Sequence, residues 1–230
     1  MPELIRVGHK GADLIAPGNT TASFDAAIEA GVDMIEFDVL PDPARKRLVL
    51  AHDYTHDLKT APSLEEGLAH LGGLDVRLDV DLKLTGYEDR VVAALREHDL
   101  LDRCLISSME RASLHRLRAI DPSIPLGWSV PKAKRDYTRS PLHRLPALGL
   151  LAAARQTFPR RAGSELRSGF CDAIMAYWRL ITPRLAHTVR DAGGELYAWT
   201  VDDARTIDRL AAMGVTGVIT NDPRLFVRAP

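Results

Sequence analysis

The chain has 230 residues, 46 % hydrophobic and 27 % charged, with 30 Lys+Arg against 31 Asp+Glu and a formal net charge of −1. This is the composition of a globular protein long enough for one full-sized core, and a single domain over residues 1–230 is expected. The near-zero balance argues against a general nucleic-acid surface, and no stretch approaches the roughly 18 apolar residues of a membrane-spanning helix.

Strand-like and helix-like runs alternate along the chain. Leu4–His9 reads as a strand. Thr20 or Thr21 can cap a helix that carries Phe24, Ala27 and Ile28 and stops at Gly31. Met34–Val39 is the second strand and Arg47–His52 the next. Between them, Leu40 to Lys46 holds two prolines and no crossover helix. A parallel return needs a dozen or more residues, so this pair is expected to form an antiparallel hairpin. Ser63–Gly72 is a short helix with Glu66 three residues after Ser63, the spacing of a capping box.

The remaining strands are expected at Val76–Lys83, Arg103–Ser108, Pro125–Val130, Cys171–Trp178, Glu195–Val201 and Gly217–Thr220. The helices between them are expected at Glu88–His98, Arg111–Ile120, within Leu142–Phe158, at Pro183–Asp191 and at Asp203–Met213. Setting the hairpin arm aside, eight strands alternate with helices. That is the pattern of an α/β protein of the (β/α)₈ TIM-barrel class, with a short antiparallel hairpin arm after the second strand. A doubly wound open sheet is the structural alternative.

The two cysteines, Cys104 and Cys171, each begin an apolar strand. They read as buried thiols of a reducing compartment rather than a disulfide. No secretory signal is apparent before Leu4, so a cytoplasmic location is expected.

The polar residues that interrupt these strands carry the chemistry. Glu36 and Asp38, two apart on a strand, leave it from the same face. Burying two adjacent carboxylates without a partner is costly, and a hard divalent cation with oxygen ligands removes the conflict. His9 and Lys10 end the first strand, His52 and Asp53 the hairpin arm, and Asp81 and Lys83 the next barrel strand. Trp199 lies near the end of the seventh barrel strand. In a barrel these positions converge on the C-terminal rim, where active sites lie. Glu36, Asp38 and Asp81 can bind one hard cation, either Mg²⁺ or Ca²⁺. Lys10 and Lys83 offer point charges for a phosphate, and His9 and His52 offer a base and an acid near neutral pH. Together they point to cleavage of a phosphoester.

The same residues make the chain resemble the glycerophosphodiester phosphodiesterase family. The resemblance rests on His9-Lys10-Gly11, Pro17-Gly18-Asn19-Thr20, Gly31 with Glu36-Phe37-Asp38, His52-Asp53 and Asp81-Leu82-Lys83. It continues through Trp199-Thr200-Val201 and Gly217 to Pro223, and so covers nearly the whole chain. It implies a TIM barrel with one Mg²⁺ or Ca²⁺ held by Glu36, Asp38 and Asp81. It implies His9 and His52 as general base and acid, and Lys10, Lys83 and Trp199 as phosphate- and substrate-binding residues. The implied substrate is a glycerophosphodiester, cleaved to an alcohol and sn-glycerol 3-phosphate. The glycerol 2-hydroxyl would attack phosphorus to give a cyclic phosphate that water then opens.

Three residues depart from the family pattern: Lys10 stands for Arg, Gly18 for Glu, and Asp81 for a Glu one methylene longer. They leave two alternatives open. One is a lysophospholipase D or phospholipase D acting on lipid head groups, the other a weakened barrel that only binds phosphoesters. The pair His56-Asp57 reads as loop capping or a rim contact, and Ser107 and Ser108 are assigned no catalytic role.

Pro131 to Arg161 carries eight basic residues against one acid, Asp136, together with the apolar run Leu148 to Ala154. It reads either as a solvated basic helix or as a rim element making peripheral membrane contact through 131–161.

Overall fold

The computed structural model describes residues 3–44, 46–55, 58–132 and 144–226, with the backbone alone for 144–148. His56-Asp57 and most of the segment between Pro131 and Arg144 lie outside the described residues.

Nine strands are present: β1 (Ile5–Gly8), β2 (Met34–Asp42), β3 (Arg47–Leu50), β4 (Arg77–Leu82), β5 (Cys104–Ser108), β6 (Leu126–Val130), β7 (Ala173–Tyr177), β8 (Glu195–Trp199) and β9 (Gly217–Thr220). Eight of them pair in parallel in the order β1-β2-β4-β5-β6-β7-β8-β9, and β9 returns to β1. The β1–β2 and β1–β9 pairings close the barrel and exclude the open doubly wound sheet. β3 lies antiparallel on β2, with Val39 opposite Leu50 and Asp42 opposite Arg47. The hairpin inferred from its short connection is therefore present.

The helices are α1 (Thr21–Glu29), α2 (Leu64–Gly72), α3 (Glu88–Glu97), α4 (Arg111–Ile120), α5 (Arg144–Arg167), α6 (Pro183–Asp191) and α7 (Ala204–Ala212). Their starts follow local chemistry. Thr20 and Ser63 close capping boxes on α1 and α2, Thr182 caps α6 with Pro183 in its first turn, and Asp203 caps α7. Leu64, Leu68 and Leu71 form the buried stripe of α2, each contributing about 1.5–3 kcal/mol through removal from water.

The main core lies between strands and helices and includes Phe24, Phe37, Leu78, Val80 and Leu82. A second, smaller cluster fills the barrel interior with Val7, Met34, Leu105, Met175, Tyr197 and Ile219. Gly217 makes room for it, since a Cβ there would run into the Tyr197 ring. The charged residues of β4 invert the usual rule for alternating strands. Leu78, Val80 and Leu82 face the helices, while Asp79 and Asp81 point into the barrel beside Glu36 and Asp38 of β2.

One element is longer than its sequence suggests. α5 continues past Phe158 to Arg167 with Pro159 inside it. Proline removes one helical hydrogen bond, but Pro159, Ala162, Gly163 and Leu166 form a buried stripe that keeps the helix on the barrel. Gly163 sits so close to Thr188 of α6 that a Cβ would collide with it.

Candidate active site at the C-terminal mouth of the barrel

β1 delivers His9. Its backbone N–H continues the ladder to the carbonyl of Thr220 at 2.8 Å, and the chain then turns through Lys10 (φ 51°) and Gly11 (φ 86°). Both dihedrals lie in the left-handed region, and Gly11 is there of necessity because a Cβ would meet the Ser23 backbone. The turn aims backbone donors at β2: Lys10 N–H donates to Glu36 Oε2 at 2.8 Å and Gly11 N–H to the Glu36 carbonyl at 3.1 Å.

Parallel register places Glu36 beside Asp79 and Asp38 beside Asp81, all facing the lumen. One oxygen from each of Glu36, Asp38 and Asp81 lies within 4.8 Å of the others. Asp81 Oδ1 accepts no hydrogen bond although it is buried. The Lys83 ammonium contacts Asp81 and lies 2.5 Å from Asp38 Oδ1. Asn19 grips Asp38 from the other side, donating Nδ2–H to Oδ2 at 2.8 Å and accepting the Asp38 backbone N–H at 3.0 Å.

The electrostatics follow from crowding four carboxyls into one lumen. Burial, then repulsion from Asp38, pushes Glu36 well above the usual carboxylate range. Asp38 is buried too, but Lys83, His9 and His52 outweigh burial and hold it well below that range. Burial and the neighbouring Asp81 raise Asp79 to about 7. Burial alone would lower Lys83; Asp81, Asp38 and Glu36 instead hold it firmly charged.

His9 keeps only 18 % of its side chain accessible, and burial lowers its pKa below the usual imidazole value. It is therefore neutral at pH 7, and its tautomer is set by a relay. Asn221 donates its backbone N–H and Nδ2–H to the Asp202 carboxylate at 2.8 and 2.7 Å, so its oxygen faces His9. That oxygen lies 2.5 Å from His9 Nδ1 and can only accept, so Nδ1 carries the proton. Nε2 is left with its lone pair, 3.8 Å from Glu36 Oε2.

The β3 arm brings the second histidine. Ala51 N–H donates to the Asp38 carbonyl at 3.2 Å, so the arm returns to the level of the acids just before His52. His52 is about half exposed, with Nδ1 3.1 Å from Asp53 Oδ2. Trp199 stands at the lumen mouth, its indole N–H donating to the Met175 carbonyl at 2.7 Å and its ring 5.8 Å from that of Tyr177. The Lys10 ammonium lies 3.6 Å from Asp13 Oδ2. Asp13 also accepts the Gly18 N–H at 3.0 Å and fills the space a side chain at 18 would need. Loss of the family's Glu at that position is thus accompanied by a carboxylate from the same loop.

The geometry gathers His9, Glu36, Asp38, Asp81 and Lys83 directly. Asn19, Asn221 and Asp202 were not assigned roles from sequence, though Asn19 and Asn221 stand inside motifs quoted above. The donor set fits a hard divalent cation: three buried carboxylates, an orphaned oxygen, and a separation within twice the roughly 2.3–2.6 Å of a Ca²⁺–oxygen bond.

Comparison with known proteins decides the family. The model of the glycerophosphoryl diester phosphodiesterase family matches residues 9–66 and 74–225. The chain belongs to this family. Its members are phosphoric diester hydrolases, and the sequence resemblance is borne out. A glycerophosphodiester phosphodiesterase of Caldanaerobacter subterraneus subsp. tengcongensis is 24 % identical over 257 residues, covering 96 % of this chain and 95 % of its own. Among solved structures, a glycerophosphodiester phosphodiesterase of Agrobacterium tumefaciens superposes with a TM-score of 0.71 at 21 % identity, covering 97 % of this chain and 99 % of its own. A phosphodiesterase of Oleispira antarctica, in complex with the product sn-glycerol-3-phosphate, gives 0.73 at 20 % identity, covering 95 % and 93 %. At these identities the superpositions establish the fold.

Proposed function

We propose that the chain, read as one catalytic domain over residues 1–230, hydrolyses glycerophosphodiesters to an alcohol and sn-glycerol 3-phosphate with the help of one divalent cation, Mg²⁺ or Ca²⁺. The observation that carries this reading is the convergence of His9 and three carboxylates at one end of the lumen. Glu36, Asp38 and Asp81 would hold the cation, which when bound supplies positive charge to the phosphoryl oxygens. His9 Nε2, neutral and held by Asn221, takes the proton of the attacking hydroxyl. His52, with Asp53 at Nδ1, protonates the departing alkoxide from the outer side. Lys83, fixed between Asp38 and Asp81, and Lys10 add positive charge for the phosphate. Trp199 supplies an apolar wall at the mouth.

The product in the Oleispira antarctica complex supports glycerol phosphate as the retained half. The test is release of sn-glycerol 3-phosphate from glycerophosphocholine and glycerophosphoethanolamine. The reading expects turnover that His9→Ala and His52→Ala each lower by roughly 10²–10⁴-fold. Intact folding with no diester cleaved, or full activity in both variants, would refute it.

A further inference from the structure

Five large apolar side chains stand exposed among the described residues: Leu14, Ile15, Tyr54, Leu84 and Leu150. Single exposed apolar residues are ordinary on any surface. Their distribution here is not, because all five lie on the side where the barrel strands end. Leu14 and Ile15 follow β1, Tyr54 reaches the Pro41 carbonyl near the end of β2, Leu84 follows β4, and Leu150 belongs to the helix after β6. None lies at the opposite end.

Local hydrogen bonds hold their loops. Leu14 N–H donates to the Asn221 carbonyl at 3.0 Å and Ile15 N–H to that of Ala12 at 2.8 Å. The Tyr54 hydroxyl donates to the Pro41 carbonyl at 3.0 Å, and Leu84 N–H to the Tyr87 hydroxyl at 3.2 Å. The side chains are therefore presented outward on pinned loops.

α5 extends the same face. Arg155 Nε donates to the carbonyl of Arg179, two residues past the end of β7, so Arg155 is level with the rim. The residues before it from Arg144 onward, about 16 Å of helix, lie on the rim side of that contact. They include Gly149-Leu150-Leu151-Ala152-Ala153-Ala154, with Leu150 73 % exposed. From Arg144 to Arg161 the helix has no carboxylate; Arg155 is exposed at the rim, whereas Arg161, further down the helix, pairs with Glu165 at 3.8 Å.

We propose that this rim is a docking face for a bilayer containing anionic lipids, with the active site turned toward the membrane. Charge selects the occupant. A surface that offers apolar side chains beside the exposed Arg155, on a helix that carries no carboxylate before Glu165, is matched by hydrocarbon beneath anionic head groups. The site then meets amphipathic phosphodiesters of the lysophospholipid class, a consequence that rests on the proposed function. The docking itself does not depend on catalysis.

The experiment is sedimentation of the full chain with vesicles of phosphatidylcholine alone and of phosphatidylcholine with phosphatidylglycerol, alongside turnover of a water-soluble glycerophosphodiester. Docking predicts binding to the anionic vesicles that weakens with salt. It predicts a loss of at least about tenfold in the double variant Leu84→Asp/Leu150→Asp and of about fivefold in Arg155→Glu, with soluble-diester turnover retained as proof of folding. Equal partitioning of wild type and double variant, or no sedimentation with either vesicle, overturns it. So does a dimer that Leu150→Asp dissociates without any vesicle binding. Vesicle binding by a chain that cleaves no diester would uphold docking and refute the proposed function instead.

Discussion

Asn221 lies 212 positions from the histidine it orients. Its amide oxygen decides which nitrogen of His9 can take a proton. Asn221→Leu removes that acceptor and leaves the ring without a preferred tautomer. We expect kcat to fall roughly 10–100-fold with KM little changed, measured on a soluble diester. Asp79 offers a test of the lumen's electrostatics. Its folded pKa is raised to about 7 from 3.8, so the native state holds a proton that the unfolded chain has released between those values. Stability from this group is full below pH ~4 and is lost as pH rises toward 7, by on the order of 4 kcal/mol. In chelated protein, Asp79→Asn should flatten that decline and raise the melting temperature at pH 8; an unchanged pH profile would contradict the assignment. Glu36, Asp38 and Asp81 were legible because strand period two and strand-end position are local signals. Asn221, Asp202 and Asn19 were not, because their bonds exist only once β9 closes on β1 and the β1 loop folds over β2.

Between residues and barrel, short connections proved informative and helix ends less so. The gap from Leu40 to Lys46 is too short for a crossover, and β3 is antiparallel as that length demands. β3 itself stops at Leu50, and His52 lies in the loop after it, next to Ala51, whose N–H donates to the Asp38 carbonyl. α5 ran past the proline that should have stopped it, because burial of Pro159, Ala162, Gly163 and Leu166 is a tertiary effect that sequence punctuation does not report. Tyr87 went unnoticed for the same reason. Its buried hydroxyl donates to the Val39 carbonyl at 2.7 Å and accepts the Lys83 N–H at 2.9 Å, tying the loop after β4 to β2. Tyr87→Phe leaves both groups without that partner. Denaturant unfolding should show a loss of about 1–3 kcal/mol, and activity should drop because the Lys83 backbone keeps only its longer bond, 3.4 Å to the Val39 carbonyl.

The molecule as a whole sets apolar packing low in the lumen against an acidic upper end. Met34, Met175 and Tyr197 fill the lower part, and the four carboxyls crowd above with Lys83 as the cation they share. Such a barrel should be stabilised by any divalent cation that binds the folded state alone, by RT ln(1 + [L]/Kd). Both cysteines are buried and unpaired, with burial the main cause that raises their thiols to about 12, so oxidants should affect neither fold nor activity. Among the described residues no helix is long and apolar enough to cross a membrane. The most direct test of the central claim is turnover of glycerophosphocholine by protein stripped with chelator and then titrated with Mg²⁺ or Ca²⁺. The account predicts no turnover in chelator, recovery that saturates at one bound cation per chain, and no recovery in Asp81→Asn. Undiminished turnover in chelator, or equal recovery in Asp81→Asn, would contradict it.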